Sequence, residues 1–330
     1  MSNKIRVGLI GIGGMCYHHI KGFLASPDAE IAALVDIVPE QLEKAFERVP
    51  ELVGVPTYPN YQEMLEAGGL DAVEISTPHT CHFGQIMDSL DKGLHVLSEK
   101  PLVCTTADAH AVIEKAKAKD KVVMIHYQRH FQPQYRYIRK MVQDGVLGEI
   151  HFVSALQCQN WKDSQVGKWR QEPELSGGGQ LNDSGSHLVD AILWTSGLTV
   201  ESVYAYIDNR GTKVDINSAV SMKFTNGAQG TISVVADTKV GFYEDFTIWG
   251  TKGTIFYRNG KVFYCDAEGK MSEPTDLPEG GGGGDQGFLD TILRGAPNWV
   301  PAECGLRVIE LTEAAWKSGE TGQICPVAGL

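Results

Sequence analysis

At 330 residues, with 42% hydrophobic and 21% charged side chains, the chain has material for two packed cores and is too apolar to be disordered throughout. A formal charge of −12, with no cluster of Lys and Arg against it, repels a phosphate backbone and argues against nucleic acid as a partner. No apolar run approaches the length of a bilayer span, which argues against a membrane role.

In chain order, short apolar runs alternate with helical patterns. IRVGLIG leads into a helix over Met15 to Ser26, IAALVD into one over Pro39 to Arg48, and DAVEIST into one over Cys81 to Lys92. HVLSEK, a helix over Thr106 to Lys119 and KVVMIHY continue the alternation. This is the cadence of βαβ units, and the near-continuous apolar character of the runs is that of parallel strands covered on both faces. An α/β domain is therefore expected over residues 1–126.

From 127 to 330 the texture changes. A helix from about Gln134 to Asp144 precedes strands with period-two alternation (HFVSALQCQ, VESVYAYID, SAVSMKFTNGAQGTISVVAD, FYEDFTIWG, TIFYRNGKVFYC), and Asn226-Gly227 and Asn259-Gly260 mark tight turns between them. A helix from Ser184 or a little earlier to Trp194 interrupts the strands, and another runs through Phe288 to Leu293. The second domain reads as α+β with a largely antiparallel open sheet. The glycine run Gly280 to Gly284 reads as a mobile connection into the last helical section, with a lid as the other reading.

Seven cysteines, an odd number, are scattered at Cys16, Cys81, Cys104, Cys158, Cys265, Cys304 and Cys325 without zinc or redox spacing, as expected of free thiols in a reducing compartment. The glycines in IRVGLIGIGG and the lack of a small-residue cleavage site argue against an export signal. A cytoplasmic location is expected.

The first chemical signal is GLIGIGGMCYHH, which sets Gly11, Gly13 and Cys16 at G-x-G-x-x-G spacing between a strand and a helix. Gly11 permits the turn, Gly13 admits a pyrophosphate, and Ile12, Gly14 and Met15 carry the backbone into a helix N-terminus whose free N–H groups favour an anion. Cys16, still small, stands where a third glycine or alanine is usual. Asp36 closes the second strand about twenty residues later, where a carboxylate accepts from the adenosine ribose hydroxyls. The same charge repels a 2′-phosphate, so NAD is expected over NADP, in a Rossmann dinucleotide-binding domain.

Two further segments carry chemistry. In HVLSEKPL, Glu99 and Lys100 sit at a strand end of the parallel sheet, where ligands bind, and Lys100 is expected to project into the cofactor crevice. In GGGQLNDSGSHLVD, Asp183 and His187 are spaced i,i+4 and share a helix face if the helix has begun by Asp183. Histidine titrates in the range that alcohol oxidation demands of a base. Asp190 stands where it could brace His187. His79 and His82, and His18-His19, invite a metal reading, but no acid or cysteine completes either pair locally, and no metal is expected. No G-x-S-x-G elbow offers an acyl-transfer nucleophile.

These segments, together with STPHTCH and the C-terminal GFLDTILRGAP, make the chain resemble the Gfo/Idh/MocA oxidoreductases, named for glucose–fructose oxidoreductase and inositol dehydrogenase, over essentially its whole length. The resemblance implies a cis bond before Pro101. It implies that His187 takes the substrate's hydroxyl proton, that Lys100 hydrogen-bonds the same oxygen, and that Asp183 orients the substrate or the imidazole. It places Thr77, Pro78 and His79 beside the nicotinamide, with His79 where the family often has Asn, and Arg129, Trp169 and Arg170 toward the substrate; Asn160 and Lys162 are further pocket candidates. It also implies a homodimer or homotetramer formed on the outer sheet face.

The expected activity is NAD-dependent hydride transfer to or from a ring secondary alcohol of a sugar, sugar derivative or inositol-like cyclitol. Two other functions fit the same framework. One is a glycosidase that cycles bound NAD through transient oxidation; the other is a non-catalytic dinucleotide or sugar sensor, which has no need of Lys100, Asp183 and His187 together.

Overall fold

The computed structural model describes residues 4–327. The chain forms two compact units. Among the described residues, the first comprises 4–103, 107–128 and 282–303, and the second 104–106, 129–281 and 304–327.

In the first unit six parallel strands alternate with helices: β1 (Ile5–Ile10), α1 (Cys16–Ala25), β2 (Ala29–Val35), α2 (Pro39–Arg48), β3 (Thr57–Tyr58), α3 (Tyr61–Ala67), β4 (Ala72–Ile75), α4 (His82–Asp91), β5 (His95–Ser98), α5 (Thr106–Lys119) and β6 (Val123–Ile125). The strand order is β3-β2-β1-β4-β5-β6. The chain direction across the sheet reverses between β1 and β4, which leaves a crevice at their carboxyl ends. β4 is buried at every position and β1 at all but Arg6, as strands covered on both faces must be. A helix from late in the sequence, α10 (Gly284–Arg294), joins this unit.

The second unit holds α6 (Pro133–Gln143), β7 (Ile150–Asn160), the short α7 (Trp161–Ser164) and α8 (Pro173–Ser176), and α9 (Gly185–Ser196). Strands β8 (Val200–Asp208), β9 (Asn217–Phe224), β10 (Gln229–Val235), β11 (Asp237–Gly250), β12 (Thr254–Arg258), β13 (Lys261–Cys265) and β14 (Met271–Ser272) follow. The helix α11 (Ala302–Thr321) lies in this unit from Cys304 onward, and β15 (Cys325–Pro326) ends it. The nine-stranded sheet runs β14-β13-β12-β11-β7-β10-β9-β8-β15 and is antiparallel except where β10 lies parallel to β7. That exception arises because β7 pairs with strands that follow long after it in the chain, and hairpin connection does not constrain it. On the inner face, Val153, Ala155 and Gln157 of β7 and Val220, Met222 and Phe224 of β9 are buried, and α9 packs on this face against β7.

The predicted two-residue turns at Asn226-Gly227 and Asn259-Gly260 are present, with φ of +87° and +100° at the glycines, a conformation only glycine adopts without strain. The glycine run is less open than the sequence suggests. Gly284 begins α10, and a Cβ there would lie 2.4 Å from His126 Cδ2; one at Gly281 would lie 2.7 Å from Arg136 Nη1. These two glycines are required by close packing. None of the described helices is long and apolar enough to cross a membrane.

Candidate active site

In the first unit the predicted cofactor residues converge on the carboxyl ends of the strands. Gly11 follows β1 with φ +89°, and a Cβ there would meet Thr77 Cγ2 at 2.8 Å and the Ser76 backbone at 3.0 Å. The turn after β1 and the loop after β4 thus approach each other too closely for any side chain. Around Gly13 and Gly14 a Cβ would meet nothing within 4 Å, so no neighbouring group crowds the Cα side of the backbone there. The N-terminus of α1 has no side-chain cap and no acid in its first turn, which leaves its donors available to an anion. Asp36 reaches back across this turn: its two carboxylate oxygens accept from the Ile12 and Val38 N–H groups, each at 2.8 Å. Cys16 is fully buried with Sγ 3.6 Å from Glu74 and fills the close helix-to-sheet contact that a third glycine would make.

The loops beyond β4 and β5 are tied together. The His82 ring lies 2.8 Å from the Pro101 carbonyl oxygen and 3.0 Å from that of Thr77, and the Thr77 hydroxyl donates to Gln85. His79 is buried, and Pro78 precedes the single helical turn that holds it. The Lys100–Pro101 bond is cis. Glu99 points inward instead of toward the crevice; its carboxylate accepts from the Lys100 backbone N–H at 3.2 Å and lies 3.0 Å from His126 Nδ1. An open, uncapped cradle beside a carboxylate and a lysine fits a dinucleotide.

In the second unit Asp183 lies in the turn ahead of α9, since the helix starts at Gly185. The turn is built on Asp215, whose carboxylate accepts from the Gly179 and Leu181 N–H groups at 2.9 and 2.7 Å and from the Trp316 indole at 2.9 Å. Asp183 Oδ2 accepts from Trp161 Nε1 at 2.7 Å and from Arg170 Nε at 3.1 Å. Trp161 is itself seated in a buried cluster with Val214, Ile216 and Ala236. Arg170 therefore serves Asp183, and its guanidinium also lies over the Trp169 ring, 4.4 Å from the centroid.

All twelve residues of α9 are buried except His187. Asp190, one turn further on, is bound to His130, with Oδ2 2.8 Å from Nε2; it is His130, stacked on Trp194, that Asp190 braces.

Arg129 is buried, with Nε and Nη2 donating to Glu244 at 3.0 and 2.5 Å, and Tyr135 donates to the same carboxylate at 2.5 Å. Burial pushes the Tyr135 phenol upward, and the negative charge of Glu244 adds to it. Glu244 faces Gln157 across the β11–β7 register, which puts both side chains on the inner face. Gln157 is 1% exposed, and neither its amide oxygen nor its nitrogen has a protein partner; Nη1 of Arg129 has none either. Buried polar atoms are paired in the great majority of cases, so these three are exceptions on the inner face. Val234, the register partner of Gln157 on β10, lies 3.4 Å from where a Cβ on Gly185 would stand, which sets this polar patch under the start of α9.

Residues 5–127 match the oxidoreductase family with NAD-binding Rossmann fold, and residues 135–256 match the GFO/IDH/MocA C-terminal domain. The chain belongs to the GFO/IDH/MocA oxidoreductase family. Among its relatives, the rhizopine catabolism protein MocA of Rhizobium meliloti is 31% identical over 195 residues, 59% of this chain and 58% of that protein. The inositol 2-dehydrogenase of Corynebacterium glutamicum is 27% identical over 287 residues, 84% of this chain and 81% of that protein. The fold matches the WlbA dehydrogenase from Bordetella pertussis, solved in complex with NADH and UDP-GlcNAcA, at a TM-score of 0.87 with 24% identity, covering 99% of this chain and 100% of the other.

Sequence reasoning missed the contacts of Trp161 with Asp183 and of Glu244 with Arg129, and the place of Gln157 beside Glu244. Trp161 is separated from Asp183 by 22 residues and Arg129 from Glu244 by 115, so no local motif joins them. A charged or amide residue at an inward position of an alternating strand, as at Gln157 and Glu244, was the available signal.

Proposed function

We propose that the protein oxidises a ring secondary alcohol of a neutral sugar derivative or cyclitol with NAD, and that His187 is the base. The observation that carries this reading is α9, a helix buried at every position but one, the exception being a histidine. In the reading, His187 takes the hydroxyl proton, Lys100 hydrogen-bonds the same oxygen and stabilises charge developing on it, and Asp183, fixed by Trp161 and Arg170, orients the substrate. When bound, the nicotinamide supplies the hydride acceptor.

Gln157 and Arg129 Nη1 then receive further hydroxyls of the ring. The Arg129 charge is already matched by Glu244, which favours a neutral polyol over a sugar acid at this end. Asp36 favours NAD, because its carboxylate, held by the Ile12 and Val38 N–H groups at the end of β2, would repel a 2′-phosphate on the adenosine ribose. Thr77, Pro78 and His79 line the nicotinamide side, and no metal takes part in the hydride step.

Scattered free thiols fit a cytoplasmic location. Homodimer or homotetramer formation on the outer sheet face is supported by Tyr206, 70% exposed, and by Phe152 and Trp249, register partners with ring centroids 5.6 Å apart on the same sheet. Light scattering at micromolar concentration is expected to give a multiple of 36.0 kDa; a monomer contradicts it.

The activity is tested by following absorbance of reduced nicotinamide while the protein, with NAD and separately NADP, meets inositols, aldoses, glycosides and sugar acids. NADH is expected from a neutral ring polyol and is expected to fall by about 10²- to 10⁴-fold in His187→Ala. Full activity in that variant, or a preference for NADP, overturns the corresponding assignment.

A further inference from the structure

Outside the residues just assigned, the first unit contains a buried ionisable cluster that the proposed chemistry does not use. His19, on α1 and fully buried, is held at both ring nitrogens: Nδ1 lies 2.6 Å from Asp285 Oδ1, and Nε2 lies 3.3 Å from Glu99 Oε1 and 3.4 Å from Glu74 Oε1. His126 closes the cluster, with Nδ1 on Glu99 and its ring against that of His19, centroids 4.4 Å apart. Five elements contribute groups to the cluster. Cys16 comes from α1, Glu74 from β4, Glu99 from the end of β5, His126 from the end of β6, and Asp285 from α10.

Space for the cluster is made by two glycines. A Cβ at Gly22 would lie 2.2 Å from Asp285 Oδ2, and one at Gly284 would lie 2.4 Å from His126 Cδ2. The two sides of α1 thus serve one purpose. Its N-terminus faces the dinucleotide cradle, and His19, one turn in, grips the carboxylate that receives the Lys100 backbone N–H.

We infer that His19 is a positioning residue for Lys100. Held as an imidazolium by Asp285, Glu74 and Glu99, it fixes Glu99, and Glu99 fixes the strand end that carries the lysine. The dinucleotide turn and the lysine then move as one body, and a cofactor seated on α1 is registered against Lys100 without touching the cluster.

The electrostatics agree with this geometry. Burial pushes the His19 imidazolium downward, but the charge of Glu74 and the hydrogen bonds to Asp285 and Glu99 outweigh it and hold its pKa well above the ordinary histidine range. Burial raises Glu99, yet hydrogen bonds from His126 and His19 draw it well below the ordinary carboxylate range. Glu74 is pushed up to about 7 by burial, against the pull of His19.

The test uses the full chain and two variants, His19→Gln and Gly22→Ala. The second removes no charged group and displaces the Asp285 side chain, and it serves if the first does not fold. Hydrogen exchange at the Lys100 amide is expected to speed up tenfold or more in each, with β9 of the other unit unchanged; an unaltered Lys100 amide overturns the inference.

A kinetic arm rests on the dehydrogenase reading. His19→Gln is expected to slow single-turnover NADH formation from the polyol that the activity panel selects by about 10- to 100-fold, the scale of a small misplacement of a catalytic group. In a Lys100→Ala background it is expected to add nothing. Equal slowing in both backgrounds shows a general structural role and overturns the inference. Faster exchange at Lys100 with no NADH from any polyol supports the positioning role and removes the dehydrogenase reading instead.

Discussion

Gln157 shows what a single residue contributes when its energetics and its chemistry oppose each other. A buried amide without a partner costs about 1–3 kcal/mol, so a leucine of similar length at this position is expected to raise the melting temperature or leave it unchanged. It is also expected to lower kcat/KM for a ring polyol by about tenfold or more, since one hydrogen bond to a substrate hydroxyl is lost. Thermal unfolding and steady-state kinetics on Gln157→Leu check both halves, and loss of stability with unaltered kinetics would make the residue structural. The glycine turn and Asp36 were readable in the sequence because a strand, a turn and the next strand end close on themselves within a few tens of residues. Gln157 was not, because its meaning depends on Glu244 arriving beside it on another strand. Arg129 was legible as a candidate, but its buried pairing with Glu244 was not.

At the scale of elements, the turn over residues 179–183 decides where Asp183 stands. A Cβ on Gly179 would lie 1.9 Å from the Asp215 carbonyl oxygen, so Gly179→Ala must displace the turn or the backbone beside it. A loss of about 1–3 kcal/mol, as for other overpacked sites, is expected together with a fall in kcat larger than the change in KM, read by denaturant unfolding and kinetics. The GGG run was visible in the sequence, but the reason for it, a close approach to Asp215, requires the fold. For the same reason the start of α9 was misjudged by a residue or two: Asp183 accepts from Trp161 and Arg170 in a turn and does not belong to the helix. The His19 cluster gives this scale its pH dependence. His19 is raised above its unfolded value, so its contribution is complete below about pH 6.5 and is lost as pH rises through the higher folded value. Glu99 is lowered, so its contribution is present above about pH 4.5 and is lost as pH falls through its folded value. Melting temperature is therefore expected to decline on the alkaline side in the wild type and to decline less steeply in His19→Gln; parallel curves would contradict the assignment.

For the whole molecule, alternation alone separated an α/β unit with strand order β3-β2-β1-β4-β5-β6 from a unit built on a nine-stranded sheet. Period and run length report which faces a strand buries, and these differ between the two units. What alternation could not show is that residues 282–303 return to the first unit, because a helix carries no record in its own pattern of the sheet it joins. That return brings Asp285 to His19, 266 residues away. The central claim, hydride transfer from a ring alcohol, is tested most directly with a polyol deuterated at the carbinol carbon, incubated with NAD and the protein and followed by proton NMR of the nicotinamide. The account predicts deuterium at the nicotinamide C4 of NADH that accumulates in solution, at a rate strongly reduced in His187→Ala. Deuterium that never leaves the polyol, or that reappears in a cleaved glycoside with no NADH formed, would contradict it.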